Sequence, residues 1–304
     1  RGAALLEPYA DDPKATGLVR VAPERLADVA TRALKNGFQL NTHAIGDRAN
    51  RMVLDAYEKA LTAVPSADHR FRIEHAQIIH SEDIPRFAQL GVIPAMQSSH
   101  QTSDMYWAGN RLGQGRLLGA YAWRSLLNTG IPIPNGSDFP VELVNPLISF
   151  HAAFSRQDAK NWPTGGWHPE QRMTRDELLA GYIDMMQKLN DVDSFFDRAD
   201  SLYLDETFQF NKAQRAYWRR RPLRRLRAWS FEGLRCWVLY RRLMQHVEDD
   251  RLRTAYRQRL RALWRKRRDP AALFVYLIKC ATHYHYLQIA RNLNRENRPL
   301  INTF

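Results

Sequence analysis

The sequence predicts an α/β fold: a partial (β/α) TIM-type barrel of about four parallel strands over residues 1–172, then an all-α basic helical domain over residues 173–304. Three observations carry this. Short apolar runs alternate with helical patterns in the first part, which is how parallel β/α units read. From Met173 onward strand-like runs largely stop and helical periodicity takes over. The charge divides along the chain as well. Residues 1–172 hold 18 basic and 17 acidic groups, 173–204 hold 3 and 7, and 205–304 hold 24 and 8. Essentially all of the net +13 therefore lies in the last segment.

Each element follows from local pattern. Phe38–Ala44 reads as a buried strand after the Asn36-Gly37 breaker, and Asp47–Val64 as a helix with Met52, Leu54, Ala56, Tyr57, Ala60 and Leu61 at helical spacing. Phe71–Gln77 is the second strand, and Ser81–Leu90 a short helix with Ser81 as its N-cap. Val92–Ser98 is the third strand, and Gly115–Asn128 a helix. Ile131–Asp138 is the fourth strand, its two prolines suiting an irregular or terminal strand. Asp158–Arg172, rich in Gly, Pro and Trp, is a long loop. The helix over Met173–Asn190 opens on a capping box, Thr174 followed by Glu177. Leu223–His246 places Leu226, Trp229, Leu234, Trp237, Val238 and Leu243 mostly on one side. Leu252, Tyr256, Leu260 and Leu263 mark the next helix. Asp269-Pro270 supplies N-cap and first residue for the last one, through Leu273, Leu277, Cys280, Tyr284 and Leu287.

Composition excludes several classes. With 44% hydrophobic and 11% aromatic residues the chain can bury a core, so wholesale disorder is excluded. Two cysteines cannot build a disulfide framework, which points to a reducing cytoplasm. No apolar run is long enough for a transmembrane helix, and the N-terminus lacks the order of a signal peptide. The chain opens on Arg1 without an initiator Met, so residue 1 reads as an interior cut or a processing product.

His43, His75 and Asp138 each sit at the C-terminal end of a predicted strand, the active-site end of a parallel barrel, where residues distant in sequence converge. Singly, each is an ordinary polar residue at a strand end. Together, two imidazoles and a carboxylate suit Zn²⁺ or another divalent metal, and the carboxylate can also take a proton from water. The segments GFQLNTHAIGDRANRMVLDAYE, FRIEHAQII, MQSSHQTSDMYW, PNGSDFPVELVNPL and GGWHPEQRMTRDELLAGY make residues 1 to about 182 resemble the C-terminal half of YtcJ-like amidohydrolases, metal-dependent hydrolases on a distorted TIM barrel. The resemblance implies that His43 and His75 are metal ligands and that Asp138 is both metal ligand and catalytic proton shuttle. It also implies that His100 lines the pocket for a small amide-like substrate. The His-x-His pair and the bridging Lys or Glu of that family have no counterpart here, so the site expected is weak or incomplete. His283 and His285 do not replace the pair: on a helix, residues two apart point to different sides. Four strands leave two open edges, to be covered by the helical module or by self-association with a second copy.

The basic segment carries clusters at Trp218–Arg221, Arg224–Arg227 and Trp264–Arg268. They suit arginines coating the solvated face of a bundle whose tryptophans pack inside, or a peripheral contact of residues 205–304 with an anionic membrane surface or a protein partner. A nucleic-acid partner is disfavoured, since no reader motif is present. The segments MTRDELLAGYIDMMQKLNDVDSFFDRADSLYL, AYWRRRPLRRLRA and VLYRRLMQHVEDDRLRTAYRQRLRALWRKRRDPAALFVYLIKCATHYHY, with the terminal INTF, resemble the helical C-terminal extension of cobalamin-binding radical SAM proteins. Neither Cys236 nor Cys280 belongs to a CxxxCxxC motif, so no iron–sulfur cluster is expected. The reading is a truncated metal-dependent hydrolase segment joined to an accessory helical domain, the alternatives being a non-catalytic interaction or membrane-surface protein acting through that domain, or an accessory part of a radical SAM protein.

Overall fold

The computed structural model describes residues 1–204, 217 and 219–295, the side chains of Arg225 and 293–295 excepted. Trp218, the side chain of Arg225 and the terminal INTF, singled out above, lie outside the described residues. The chain forms two compact units, Arg1–Leu178 and the residues from Leu179 onward.

The first unit runs α1 (Pro23–Lys35), β1 (Asn41–Ala44), α2 (Asp47–Ala63), β2 (Arg72–His75), α3 (Ile84–Leu90), β3 (Ile93–Ala95), α4 (Ser98–Leu112), α5 (Trp123–Leu127) and α6 (Pro146–Ser155). Its strands form one parallel sheet in the order β1-β2-β3, with Ala44 opposite His75 and Glu74 opposite Ala95. Behind it lies a core of Leu54, Tyr57, Phe71, Ile73, Phe87, Trp123 and Leu126, all fully buried. Each large side chain contributes about 1.5–3 kcal/mol by leaving water. Tyr57 of α2 also ties two strands together, its hydroxyl lying 2.6 Å from Thr42 Oγ1 and donating to the Arg72 carbonyl at 3.0 Å.

The fourth predicted strand does not form. Residues 131–138 reach β3's continuation only at a single parallel bridge, Met96 to Asn135. The Met96 N–H donates to the Pro134 carbonyl and the Gly136 N–H to the Met96 carbonyl, both at 2.9 Å. Pro134, and Pro132 two residues before it, therefore occupy positions whose N–H would extend the ladder, and proline has none. The helix predicted over Gly115–Asn128 is a 3₁₀ segment (Gln114–Gly119) and α5, separated by Tyr121 with φ +50°. The cap at 81–90 is His80, whose Nδ1 accepts from the Glu82 N–H, rather than Ser81. Helices α1, α4 and α6 were not anticipated; the many Ser, Thr and Gln of α4 prefer caps and turns when isolated.

α7 (Arg175–Leu189) crosses the division between units, and its capping box forms as predicted. The Glu177 N–H donates to Thr174 Oγ1 at 3.2 Å, and the Thr174 N–H to Glu177 Oε2 at 2.7 Å. Arg124 grips the same carboxylate with two nitrogens, at 2.7 and 2.6 Å. Arg124 first, and the Thr174 amide next, push Glu177 from 4.5 down to about 2. A depressed carboxylate stabilises the fold above its unfolded value and loses that contribution as pH falls through its folded one. Because the pair is partly exposed, ~1 kcal/mol or less is at stake. Glu177→Gln is expected to lower the melting temperature slightly at pH 7 and to flatten its fall between pH 4.5 and 2. Thermal melts across that range test this, and an unaltered slope would count against it.

The second unit contains α8 (Val192–Tyr203), α9 (Pro222–His246), α10 (Asp250–Arg267) and α11 (Pro270–Arg295). Leu252, Tyr256, Leu260 and Leu263 are all buried, as their spacing predicts. Asp249 and Asp269 cap α10 and α11 by accepting from the amides of Arg251, Leu252 and Ala271. α9 departs from expectation. Its buried side carries Cys236, Leu243 and Met244, whereas Leu226, Leu234 and Trp237 are 65%, 60% and 56% exposed. The tryptophans Trp237 and Trp264 therefore do not pack the core of this unit. His283 is a core residue of α11, its two nitrogens engaged by the Asn190 carbonyl at 2.9 Å and the Tyr256 hydroxyl at 2.5 Å. Among the described residues no helix is long and apolar enough to cross a membrane.

Candidate metal centre

Three elements deliver the site. β2 ends at His75, where φ is +79°, followed by Ala76 at +45°. In regular strand alternation His43 shares a face with its partner Glu74, and His75 points the other way. The left-handed backbone at His75 breaks that alternation, and its ring lies edge-on to His43 with centroids 4.4 Å apart. Such a conformation costs a non-glycine residue about 1–3 kcal/mol and persists only where surrounding structure enforces it. Asn50 contributes here: fully buried on α2, its amide donates to the carbonyls of Gly46 and Ile78 at 2.9 and 3.0 Å, joining the ends of β1 and β2. Gly46 is obligatory in this arrangement, because a Cβ there would fall 2.0 Å from the Ala4 carbonyl oxygen. The GDRAN segment thus acts as a brace behind the site.

The third element is the first turn of α4, carrying His100. The Ser98 N–H at its start donates to Asn135 Oδ1 at 3.0 Å, which anchors the loop bearing Asp138. Asp138 also has a left-handed backbone, φ +54°. The outcome is a group formed by His75, His100 and Asp138, whose donor atoms all lie within 4.8 Å of one another. His100 Nε2 stands 3.8 Å from Asp138 Oδ2, and the rings of His75 and His100 stack with centroids 5.6 Å apart. Of the sequence-predicted set, His75 and Asp138 meet in this group. His43 flanks it, exposed, against His75, and His100 occupies the place expected of a third ligand rather than of a pocket wall alone.

The electrostatics suit metal binding. Burial holds His75 below the usual histidine pKa. Burial, with neighbouring His75 adding to it, does the same for His43, so both are neutral near pH 7. His75 Nδ1–H donates to Gln97 Oε1 at 2.8 Å, which fixes the tautomer and leaves Nε2 available. Among the described residues His100 Nε2 is buried without a hydrogen-bond partner, an unmet requirement that a cation would satisfy. The group borders a cavity of about 1700 Å³ also lined by Gln77, Asp104, Trp107, Tyr121 and Glu142. Gln77 and Tyr121 both hydrogen-bond to Asp104, whose carboxyl burial pushes above its usual range. Gln97, Gln77, Asp104 and Tyr121 escaped the sequence reading; only the position of Gln77, two residues beyond His75, hinted at a role.

Residues 1–182 match the amidohydrolase family. The chain belongs to that family. Among its curated relatives, the putative amidohydrolase YtcJ of Bacillus subtilis is 36% identical over 52% of this chain and 30% of its own length. Protein LONG AFTER FAR-RED 3 of Arabidopsis thaliana is 39% identical over 60% of this chain and 31% of that protein. The N-substituted formamide deformylase of Arthrobacter pascens is 31% identical over 51% and 28%. The crystal structure of an uncharacterised metal-dependent hydrolase from Pyrococcus furiosus aligns at a TM-score of 0.51 and 30% identity, covering 59% of this chain and 35% of that one. The chain therefore spans about a third of the length of these relatives. Residues 167–298 match a domain of unknown function (DUF4070).

Proposed function

We propose that residues 1–182 hold the metal centre of a hydrolase acting on amide-like C–N bonds, with His75, His100 and Asp138 as donors to a divalent ion such as Zn²⁺. The observation that carries this is the convergence of three donors within 4.8 Å at the wall of a large cavity. The unpartnered Nε2 of His100 and the Gln97-oriented ring of His75 fit such an ion. Kinship with a formamide deformylase supports the substrate class.

When bound, the ion would supply Lewis acidity toward a carbonyl and acidify water. The chain's own residues account for the rest. Gln97 holds His75 in one tautomer, and the brace through Asn50 holds His75 in register with His43. Asp138 borders the cavity with its carboxylate half-exposed, placed to accept a proton from water and return it to the leaving nitrogen. Trp107 and Val141 give the cavity an apolar wall for the substituent on that nitrogen. The test is amine release from N-substituted formamides and amides by the zinc-loaded chain. Asp138→Asn is expected to lower kcat about 100-fold or more with little change in KM. Release no faster than by the metal-free chain across the whole panel would overturn the reading.

A further inference from the structure

A groove in the helical unit lies outside the site described above. α9 and α10 both pack on α11, and between them runs a pocket of about 440 Å³. That volume falls within the range of small-ligand pockets, about 300–1,000 Å³. Its floor is apolar and buried, formed by Cys236, Leu260 and Leu277. The Cys236 thiol donates to the Pro270 carbonyl at 3.2 Å, and burial lifts its pKa to about 11, so the floor is uncharged at neutral pH. Gly233 widens the groove on the α9 side, where a Cβ would meet no heavy atom within 4 Å. Trp237 and Trp264 flank the opening, 56% and 43% exposed.

Along the opening stand Arg257, Arg261 and Arg265, spaced i, i+4 and i+8 on one side of α10. All three are exposed, and among the described residues none has a carboxylate partner. Like charges at this spacing repel one another, so the row destabilises its own helix unless an anion sits against it. Apolar floor and cationic rim together call for a ligand with a hydrocarbon body and one anionic head. We propose that this groove binds a free long-chain fatty acid, its alkyl chain on Leu260, Leu277 and Cys236 and its carboxylate at Arg257, Arg261 and Arg265. A single chain reaches side chains buried at the bottom of a groove; a flat bilayer surface does not.

The experiment titrates the full chain with lauric, myristic and palmitic acids below their micelle concentrations, read by tryptophan fluorescence and calorimetry. Affinity is expected to rise roughly tenfold for each two added methylenes until the groove is full. The alcohol of equal length should bind at least about tenfold more weakly, for want of a charge-assisted contact. Gly233→Leu adds a side chain at a lining position where its Cβ meets no heavy atom within 4 Å and favours the helix, so it should fold and abolish binding. Arg257→Gln with Arg261→Gln and Arg265→Gln should bring the acid down to the level of the alcohol. Unchanged binding by Gly233→Leu, or no dependence on chain length, would overturn the proposal. Cosedimentation with anionic phosphatidylglycerol vesicles without binding of free acid would overturn it too, in favour of a membrane surface.

Discussion

His75→Ala is expected to abolish stoichiometric zinc binding, weakening it by at least about 100-fold. The three-donor group has His75 as its most constrained member, buried at the end of β2, its Nδ1 bound to Gln97 and its Nε2 free. Removing it leaves one imidazole and one carboxylate, too few for a tetrahedral ion to prefer this site over water. His100→Ala should have a comparable effect, because its buried Nε2 has no other partner. Gln97→Leu keeps every donor but frees the ring of His75, and is expected to cost about 10- to 100-fold. His43→Ala should cost least, since His43 stands outside the group. Competition for Zn²⁺ against a chromophoric chelator ranks the four variants, with circular dichroism confirming the fold of each. If His43→Ala loses zinc as completely as His75→Ala while His100→Ala does not, the ion is held by His43, His75 and Asp138 instead.

The second large effect concerns Arg156, which is fully buried and, among the described residues, serves no charged partner directly. Its Nε donates to the Trp167 carbonyl at 2.8 Å and its Nη1 to the Tyr121 carbonyl at 2.9 Å. The guanidinium lies 4.4 Å from the Trp123 ring and 5.3 Å from that of Trp167. Burial pulls its pKa down to about 9, which still leaves it a cation at neutral pH. Arg156→Met approximates the volume and removes the donors. It leaves the part-buried Trp167 carbonyl without its donor, at about 1–3 kcal/mol, takes one of two donors from the Tyr121 carbonyl, which keeps the Trp123 N–H, and forfeits the ring contacts. Relief from burying a charge offsets part of this. The expected net loss is about 1–3 kcal/mol in urea unfolding followed on the first unit. Arg156→Lys should recover little, since one ammonium cannot reach both carbonyls as the planar fork does. A methionine variant within about 0.5 kcal/mol of the parent would show that the desolvation term dominates. The consequence extends toward the cavity, because the carbonyl Arg156 holds belongs to Tyr121, whose hydroxyl donates to Asp104.

Much of the fold was legible because its signals are local. The period of Leu252, Tyr256, Leu260 and Leu263, the Asp269-Pro270 start and the Thr174–Glu177 box each depend on residues within a few turns, and each forms. Three of four predicted strands are present, shorter than drawn. The fourth failed for a reason also local, the prolines at 132 and 134, although their effect depends on which side of the strand faces β3. The apolar stripe of α9 was visible, but periodicity alone does not say which side of a helix is covered, and Leu226, Leu234 and Trp237 remain exposed.

By itself, then, the sequence determined the change from α/β to helix near Met173, the uneven charge and the candidacy of His43, His75, His100 and Asp138. Composition and short-range period encode the first two directly; predicted strand ends mark His43, His75 and Asp138, and the family resemblance marks His100. Tertiary structure alone decided which donors meet. His100 reaches Asp138 because Asn135 caps a helix 37 residues earlier in the chain, and His75 turns toward His43 because its backbone leaves the strand conformation. Contacts between residues so far apart, and departures from regular backbone, leave no trace in local pattern; they exist only once the chain has packed.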